Sequence, residues 1–187
     1  MRIHLGTNYQ GYQIARALET RLSAAGHEVH WLGAPEYDFN DDYPAIAIRV
    51  AQAVVADEDA AIYARGIQVG GEGAGEVIAA NKVNGARAVA ALSVEYVANA
   101  RAHADANLLV LPTDWLDDAE IDSLLGAFFD TAFADSIDDA RRIINTAEFE
   151  TSGTIEGWTI DEGKVTEIPA DPSSTGKFTA GKGITHD

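Results

Sequence analysis

Five short apolar runs alternate with amphipathic helical stretches along the first 150 residues, and that alternation restricts the fold more than any single motif. The spacing predicts strands over 2–6, 28–32, within 60–69, 86–92 and 107–111. Helices are expected over about 11–25, 44–56, 76–82, 94–103, 117–132 and 136–149. In the first helix Ile14, Leu18, Leu22 and Ala25 recur at helical spacing, and Gly26 is well placed as its stop. In the second, Ile46, Val50 and Val54 share one side. Strands joined through helices by short connections pair in parallel, with helices covering both faces of the sheet. The expectation is a three-layer α/β/α, Rossmann-like fold with a five-stranded parallel sheet and a C-terminal extension.

The 187 residues suit one such domain with an appendage. Beyond Glu150 the composition turns to Gly, Thr, Ser and Pro, so the expected division is 1–150 and 151–187. Within the extension only 158–168 alternates, around Asp161-Glu162-Gly163, which suggests a small hairpin ahead of a loose end over 171–187. With no cysteine, the chain has no thiolate metal site and no cysteine nucleophile. Thirty acidic residues against 13 basic ones give a net charge of −17, which argues against nucleic-acid partners. No window approaches the roughly 18 apolar residues of a membrane span. The N-terminus runs into strand pattern without an apolar signal region, so a cytoplasmic protein is expected.

The segment Gly70-Gly71-Glu72-Gly73-Ala74-Gly75 joins the third strand to a helix that opens with Glu76. Ligands of parallel sheets collect at the carboxyl ends of the strands, where such turns sit. Glycines let the backbone approach a ligand closely, and a helix start presents free N–H groups. Taken alone the turn serves equally well as a packing joint. It is not the phosphate loop of nucleotide hydrolases, because Gly75 is followed by Glu76 rather than Lys-Ser/Thr. The dinucleotide fingerprint belongs after the first strand, and this turn follows the third. Glu72 and Glu76 would repel a phosphate. A carboxylate beside backbone donors fits better as a general base that removes a carbon-bound proton, the donors stabilising the enediolate.

Several further segments stand in a distinctive order. They are Gly6-Thr7-Asn8-Tyr9-Gln10-Gly11-Tyr12, Gly26-His27-Glu28-Val29, Asp41-Asp42-Tyr43-Pro44, the 70–83 run with Ile78-Ala79-Ala80-Asn81-Lys82-Val83, Asn84-Gly85-Ala86-Arg87-Ala88 and Arg101-Ala102-His103-Ala104-Asp105-Ala106-Asn107. Together they resemble the type B ribose-5-phosphate isomerases, a family that includes the galactose-6-phosphate isomerase subunits, over about residues 1–150. The resemblance implies interconversion of aldose and ketose phosphates through an enediolate, with neither metal nor nucleotide cofactor. Many members carry a cysteine base where this chain has Gly70. A branch resembling actinobacterial enzymes has glycine there and a glutamate after the turn, which Glu76 matches as the proton shuttle between C1 and C2. His103 matches the ring-opening acid/base, and backbone groups of Gly71, Gly73 and Gly75 would form the anion hole. Asn8, Tyr9, Tyr43, Glu72, Ala74, Arg141 and Arg142 fall on substrate-binding positions. The family's site lies between subunits, which implies a homodimer or homotetramer.

On residue chemistry alone each of these has an ordinary reading too. Glu76 is a favourable charge at a helix start, His103 a helix C-terminal cap and Tyr43 a packing residue. Arg141 and Arg142 would be surface partners of Asp138 or Asp139.

The family pattern also breaks in places. Its Asp-His pair after the first strand is Asn8-Tyr9, the asparagine after its histidine is Ala104, and the Ser/Thr of its glycine turn is Glu72. An arginine position after the fifth strand is Asp114, and one helical turn before Arg142 another is Asp138. Lost charge-assisted contacts argue against ordinary ribose 5-phosphate. The expected function is a metal-independent aldose–ketose isomerase for a small sugar or sugar phosphate. The alternative is a catalytically degenerate sugar-binding or partner subunit of a hetero-oligomer.

Overall fold

The computed structural model describes residues 1–153 and two short strands at 159–160 and 163–164. The chain divides into two compact units, Met1–Ile143 and Ile144–Asp187. In the first unit β1 (Arg2–Thr7), α1 (Tyr12–Ala24), β2 (Glu28–Trp31), α2 (Tyr43–Asp59), β3 (Ala64–Gly70), α3 (Ala74–Ala80), β4 (Ala88–Ala90), α4 (Val94–Ala104), β5 (Leu108–Pro112) and α5 (Asp118–Asp130) follow in order. The first turns of α6 (Ile137–Ser152) complete it. The five strands are all parallel, in the order β2-β1-β3-β5-β4. The three-layer expectation is met.

The central strands β3 and β5 are buried along their whole length, as strands covered on both faces must be. Alternation then sorts their side chains. Ile67, Val69, Leu109 and Leu111 face one layer with Leu18 and Leu22 of α1, Val97 of α4 and Phe128 of α5. Leu108 and Val110 face the other, against Val50 and Ala51 of α2 and Ala79 and Ala80 of α3.

Local chemistry sets the helix ends. Asp42 accepts from Tyr43 N–H ahead of Pro44 at the start of α2, and Ser93 caps α4. Asp117 and Glu120 form a reciprocal capping box on α5. Gly26, at φ +88°, stops the chain just beyond α1, as its spacing suggested.

Two boundaries move from their expected places. The helix after the glycine turn begins at Ala74 rather than near Glu76, because Gly73 at φ +80° already turns the chain and its carbonyl accepts from Val77. The fourth strand shrinks from 86–92 to Ala88–Ala90 at the sheet edge. There the Asn81 side chain both accepts from Ala88 N–H (2.8 Å) and donates to Ala88 C=O (2.9 Å). One amide side chain thus stands in for a neighbouring strand.

In the second unit Thr159 pairs antiparallel with Lys164, and Ile160 with Gly163. The rest of the expected hairpin and the expected loose end at 171–187 lie outside the described residues. Among the described residues no helix is long and apolar enough to cross a membrane.

Candidate active site

Parallel pairing brings three chain segments to one edge of the sheet. Thr7 of β1 lies opposite Val69 of β3, and Gly70 lies opposite Pro112 of β5. The residues that leave these strands, 8–11, 71–73 and 113–117, therefore meet at the carboxyl end. Thr113 N–H and Oγ donate to the Gly70 carbonyl (2.8 and 2.9 Å), and Asp114 N–H donates to the Gly71 carbonyl (3.1 Å). Tying these carbonyls to the 112–114 turn aims the N–H groups of Gly71 and Glu72 the opposite way, since C=O and N–H oppose each other across a trans peptide.

Glu76 sits in the first turn of α3 and is only 4% exposed. Its carboxylate lies over the backbone of Gly70, and a Cβ built on residue 70 would meet Glu76 Oε1 at 2.0 Å. A side chain at 70 and this carboxylate compete for one space. Gly75 is similarly obligatory, because its Cβ would strike the Tyr43 ring at 2.4 Å. Gly71 is backed by the Gln10 amide, whose Nε2 would lie 2.7 Å from a Cβ there.

Burial pushes the Glu76 carboxyl above the usual range, although its own backbone N–H opposes the rise. Asp114, Asp42 and Glu72 add to it by like-charge repulsion. A buried carboxylate with raised proton affinity, at a glycine turn, is suited to taking a proton from carbon and giving it back. Among the described residues no group of three or more His, Cys, Asp and Glu is placed to hold a metal ion.

Most of the expected site residues gather here. Gly71, Glu72, Gly73, Ala74 and Gly75 form the turn, and Tyr43 covers Gly75. Asn8 is 2% exposed; its Nδ2 donates to Gln10 Oε1 (3.2 Å), while its Oδ1 has no partner. Tyr9 packs against Phe39, ring centres 4.9 Å apart.

His103, Arg141 and Arg142 do not join them within one chain. The helix α4 starts beyond the carboxyl end of β4 and runs back 11 residues, about 16 Å. His103, in its last turn, stands beside the amino end of β5, across the sheet from Glu76. There Asp139 Oδ2 accepts from His103 Nδ1 (3.0 Å) and Ser136 Oγ (2.7 Å). Its Oδ1 accepts from Arg142 Nη1 at 2.6 Å. Arg141 pairs with Asp138 at 3.3 Å. The bond from His103 and then that from Ser136 hold the Asp139 carboxyl down to about 2, with Arg142 adding to the effect against desolvation.

Sequence reasoning missed Gln10, Phe39, Ser136 and the central place of Asp139. For the last pair a signal was present, because Ser136-x-x-Asp139 is the spacing of a helix-start capping pair. Asp139 N–H does donate to Ser136 Oγ at 3.1 Å.

A family model described as Ribose/Galactose Isomerase matches residues 3–145. The chain belongs to the ribose/galactose isomerase family. Relatives in this family include the ribose-5-phosphate isomerase B of Mycobacterium leprae, 40% identical over 150 residues that span 80% of this chain and 90% of the relative. The Mycobacterium tuberculosis (strain H37Rv) protein of the same name is also 40% identical, with the same coverage. Among solved structures, ribose-5-phosphate isomerase B from Mycoplasma genitalium with bound ribulose-5-phosphate superposes with a TM-score of 0.75 at 30% identity. That match covers 81% of this chain and 97% of the other. Type B ribose 5-phosphate isomerase of Trypanosoma cruzi gives a TM-score of 0.74 at 29% identity over 81% of this chain and 99% of the other.

Proposed function

We propose that this chain is a sugar or sugar-phosphate aldose–ketose isomerase that works through an enediolate. The observation that carries the reading is the Glu76 carboxylate, buried over Gly70 with a raised proton affinity. In the aldose-to-ketose direction Glu76 takes the proton from C2 while the C1 carbonyl oxygen becomes the enediolate oxygen. The N–H groups of the 71–75 turn stabilise that charge. Glu76 then returns the proton to C1, and the proton of the C2 hydroxyl ends on the C1 oxygen as C2 becomes the carbonyl. The balance is closed, with no outside oxidant or reductant.

The substrate we propose is not ribose 5-phosphate itself. The charged groups that raise Glu76 are all carboxylates, and Arg142 and Arg141 are held by Asp139 and Asp138. Asn8 Oδ1 is a buried acceptor in need of a hydroxyl donor, and Tyr9 with Phe39 offers an aromatic wall. These features suit a neutral polyhydroxylated end better than a dianion. Incubation with tetroses and pentoses in deuterated water, each with and without phosphate, tests both levels. Deuterium at C1 or C2 of no sugar sinks the isomerase; fastest exchange in ribose 5-phosphate sinks only the finer claim.

The separation of His103 from Glu76 across the sheet supports a site completed by a second copy of the chain, as a homodimer or homotetramer. Mixing Glu76→Gln chains with His103→Gln chains tests it. Recovered activity in the mixture supports shared sites, and none argues for sites within one chain.

A further inference from the structure

The cluster at the amino end of the sheet has a chemistry of its own. Asp139 has 10% of its side chain exposed, whereas the His103 ring it holds is 59% exposed. The carboxylate takes three side-chain donors, from His103, Ser136 and Arg142. A backbone bond from Ala134 N–H to Ala102 C=O (2.8 Å) clips the approach to α6 onto the end of α4, so the carboxylate and the ring are delivered by two fastened elements. An ionised carboxylate only accepts hydrogen bonds. The neutral imidazole beside it must therefore carry its proton on Nδ1 and keep its lone pair on Nε2. Among the described residues Nε2 has no hydrogen-bond partner. A free surface histidine exchanges between tautomers and rotates; this one is presented in a single orientation with one working nitrogen.

We propose that Asp139 is a positioning residue for His103, fixing the Nδ1–H tautomer so that outward-facing Nε2 passes protons to and from the ring oxygen and anomeric hydroxyl of a cyclic sugar. This rests on the isomerase reading, and on a second copy bringing His103 to a Glu76 site. The step is balanced. Nε2 takes the anomeric hydroxyl proton as that oxygen becomes the carbonyl and the bond from C1 to the ring oxygen breaks. The same nitrogen then delivers the proton to the released ring oxygen. Asp139 touches neither atom; it holds the ring by the other nitrogen. A simple tie between two helices would need the same Nδ1–H but would not discriminate between cyclic and open sugars.

Two measurements on the full chain decide this. The first is the ring-nitrogen NMR spectrum of the neutral His103 imidazole in the unmodified protein, which needs no variant to fold. The Nδ1–H form is expected to dominate, with a mixture of tautomers in Asp139→Asn. A dominant Nε2–H form in the unmodified protein overturns the proposal. The second is kcat/KM of Asp139→Asn on ribose and ribose 5-phosphate, which close rings, against erythrose 4-phosphate, whose phosphorylated O4 prevents closure. A loss of about 10- to 100-fold is expected on the ring-forming sugars, the scale typical of removing an orienting partner. Erythrose 4-phosphate should stay within about twofold. Equal losses on both kinds of sugar would reduce Asp139 to a structural tie and overturn its positioning role. If the unmodified protein isomerises no tetrose or pentose, with or without phosphate, the ring-opening role falls together with the isomerase reading. The spectrum still judges the Asp139–His103 pair, so the two failures are distinguishable.

Discussion

Glu76 and Asp139 are both carboxylates tucked under the surface at the start of a helix, yet they hold protons with opposite tenacity. Glu76 lies over a glycine backbone with, among the described residues, only its own N–H to bond, and its charged neighbours Asp114, Asp42 and Glu72 repel it. Asp139 has three side-chain donors, two of them cationic or able to become so, and is held near 2. Burial acts in the same direction on both; the count of donors decides which carboxylate stays ionised. One end of the sheet thus keeps a base ready to accept a proton, and the other keeps a charge that never takes one at neutral pH.

The sharpest way to break this contrast is Glu76→Gln. We expect turnover to fall about 1,000-fold or more, read as deuterium exchange into substrate. The same variant should melt a few degrees higher at pH 7. A carboxylate whose folded-state pKa is raised weakens the fold above its unfolded pKa, a cost that is absent once both states are protonated. The gain should vanish below about pH 4. Full activity, or a stability gain that persists at low pH, would contradict the assignment.

Next in size is Gly70→Ala, which puts a methyl where Glu76 Oε1 now sits. Displacing the base by an ångström or so should cost about 100-fold in kcat with the fold retained. A variant with unaltered kcat would mean that the carboxylate does not work from this position.

For Asp139→Asn the expected change is in stability against pH. A lowered carboxylate pKa stabilises the native state above its unfolded value and loses that effect as pH falls through the folded one. The unmodified protein should therefore weaken between about pH 4 and about pH 2, the lower limit being the Asp139 value. The variant should be weaker at neutral pH and show a flatter decline in urea titrations over that window. An identical slope in both proteins would rule out Asp139 as the source.

The smallest effect is expected from Asp114→Asn. It removes one of the negative neighbours of Glu76, so the acidic limb that Glu76 imposes on kcat/KM should move to lower pH with little change in the plateau. A limb that stays fixed would show that Asp114 is screened by solvent.

Much of this molecule was legible in its residues. The strand and helix order, the stop at Gly26 and the turn at 70–75 all express local preferences, and each is found close to its expected place. Where the reading missed, the causes lie at several ranges, and the early start of α3 is due to the adjacent Gly73 at φ +80°. The fourth strand is shorter than its apolar run, and Asn81, seven residues earlier, pairs with Ala88 at its start through its side-chain amide. Gln10 and Phe39 carry no pattern that points to a site, and only the pairing of β1 with β3 puts Gln10 behind Gly71.

By itself the sequence determined the alternating architecture and the placing of a glutamate just inside a helix that leaves a glycine turn. Period-2 and period-3.6 patterns and positive-φ glycines act over a few residues, so they survive without knowledge of the rest of the chain. Only the tertiary structure decided what that glutamate and the other charges do. His103 and Asp139 are 36 residues apart in the chain and meet only because α4 and the start of α6 end at the same edge. Arg142, which the resemblance placed on a substrate-binding position and residue chemistry alone paired with Asp138 or Asp139, is held by Asp139 within the chain. Whether a charge has a partner depends on which elements pack together, and that information is not local.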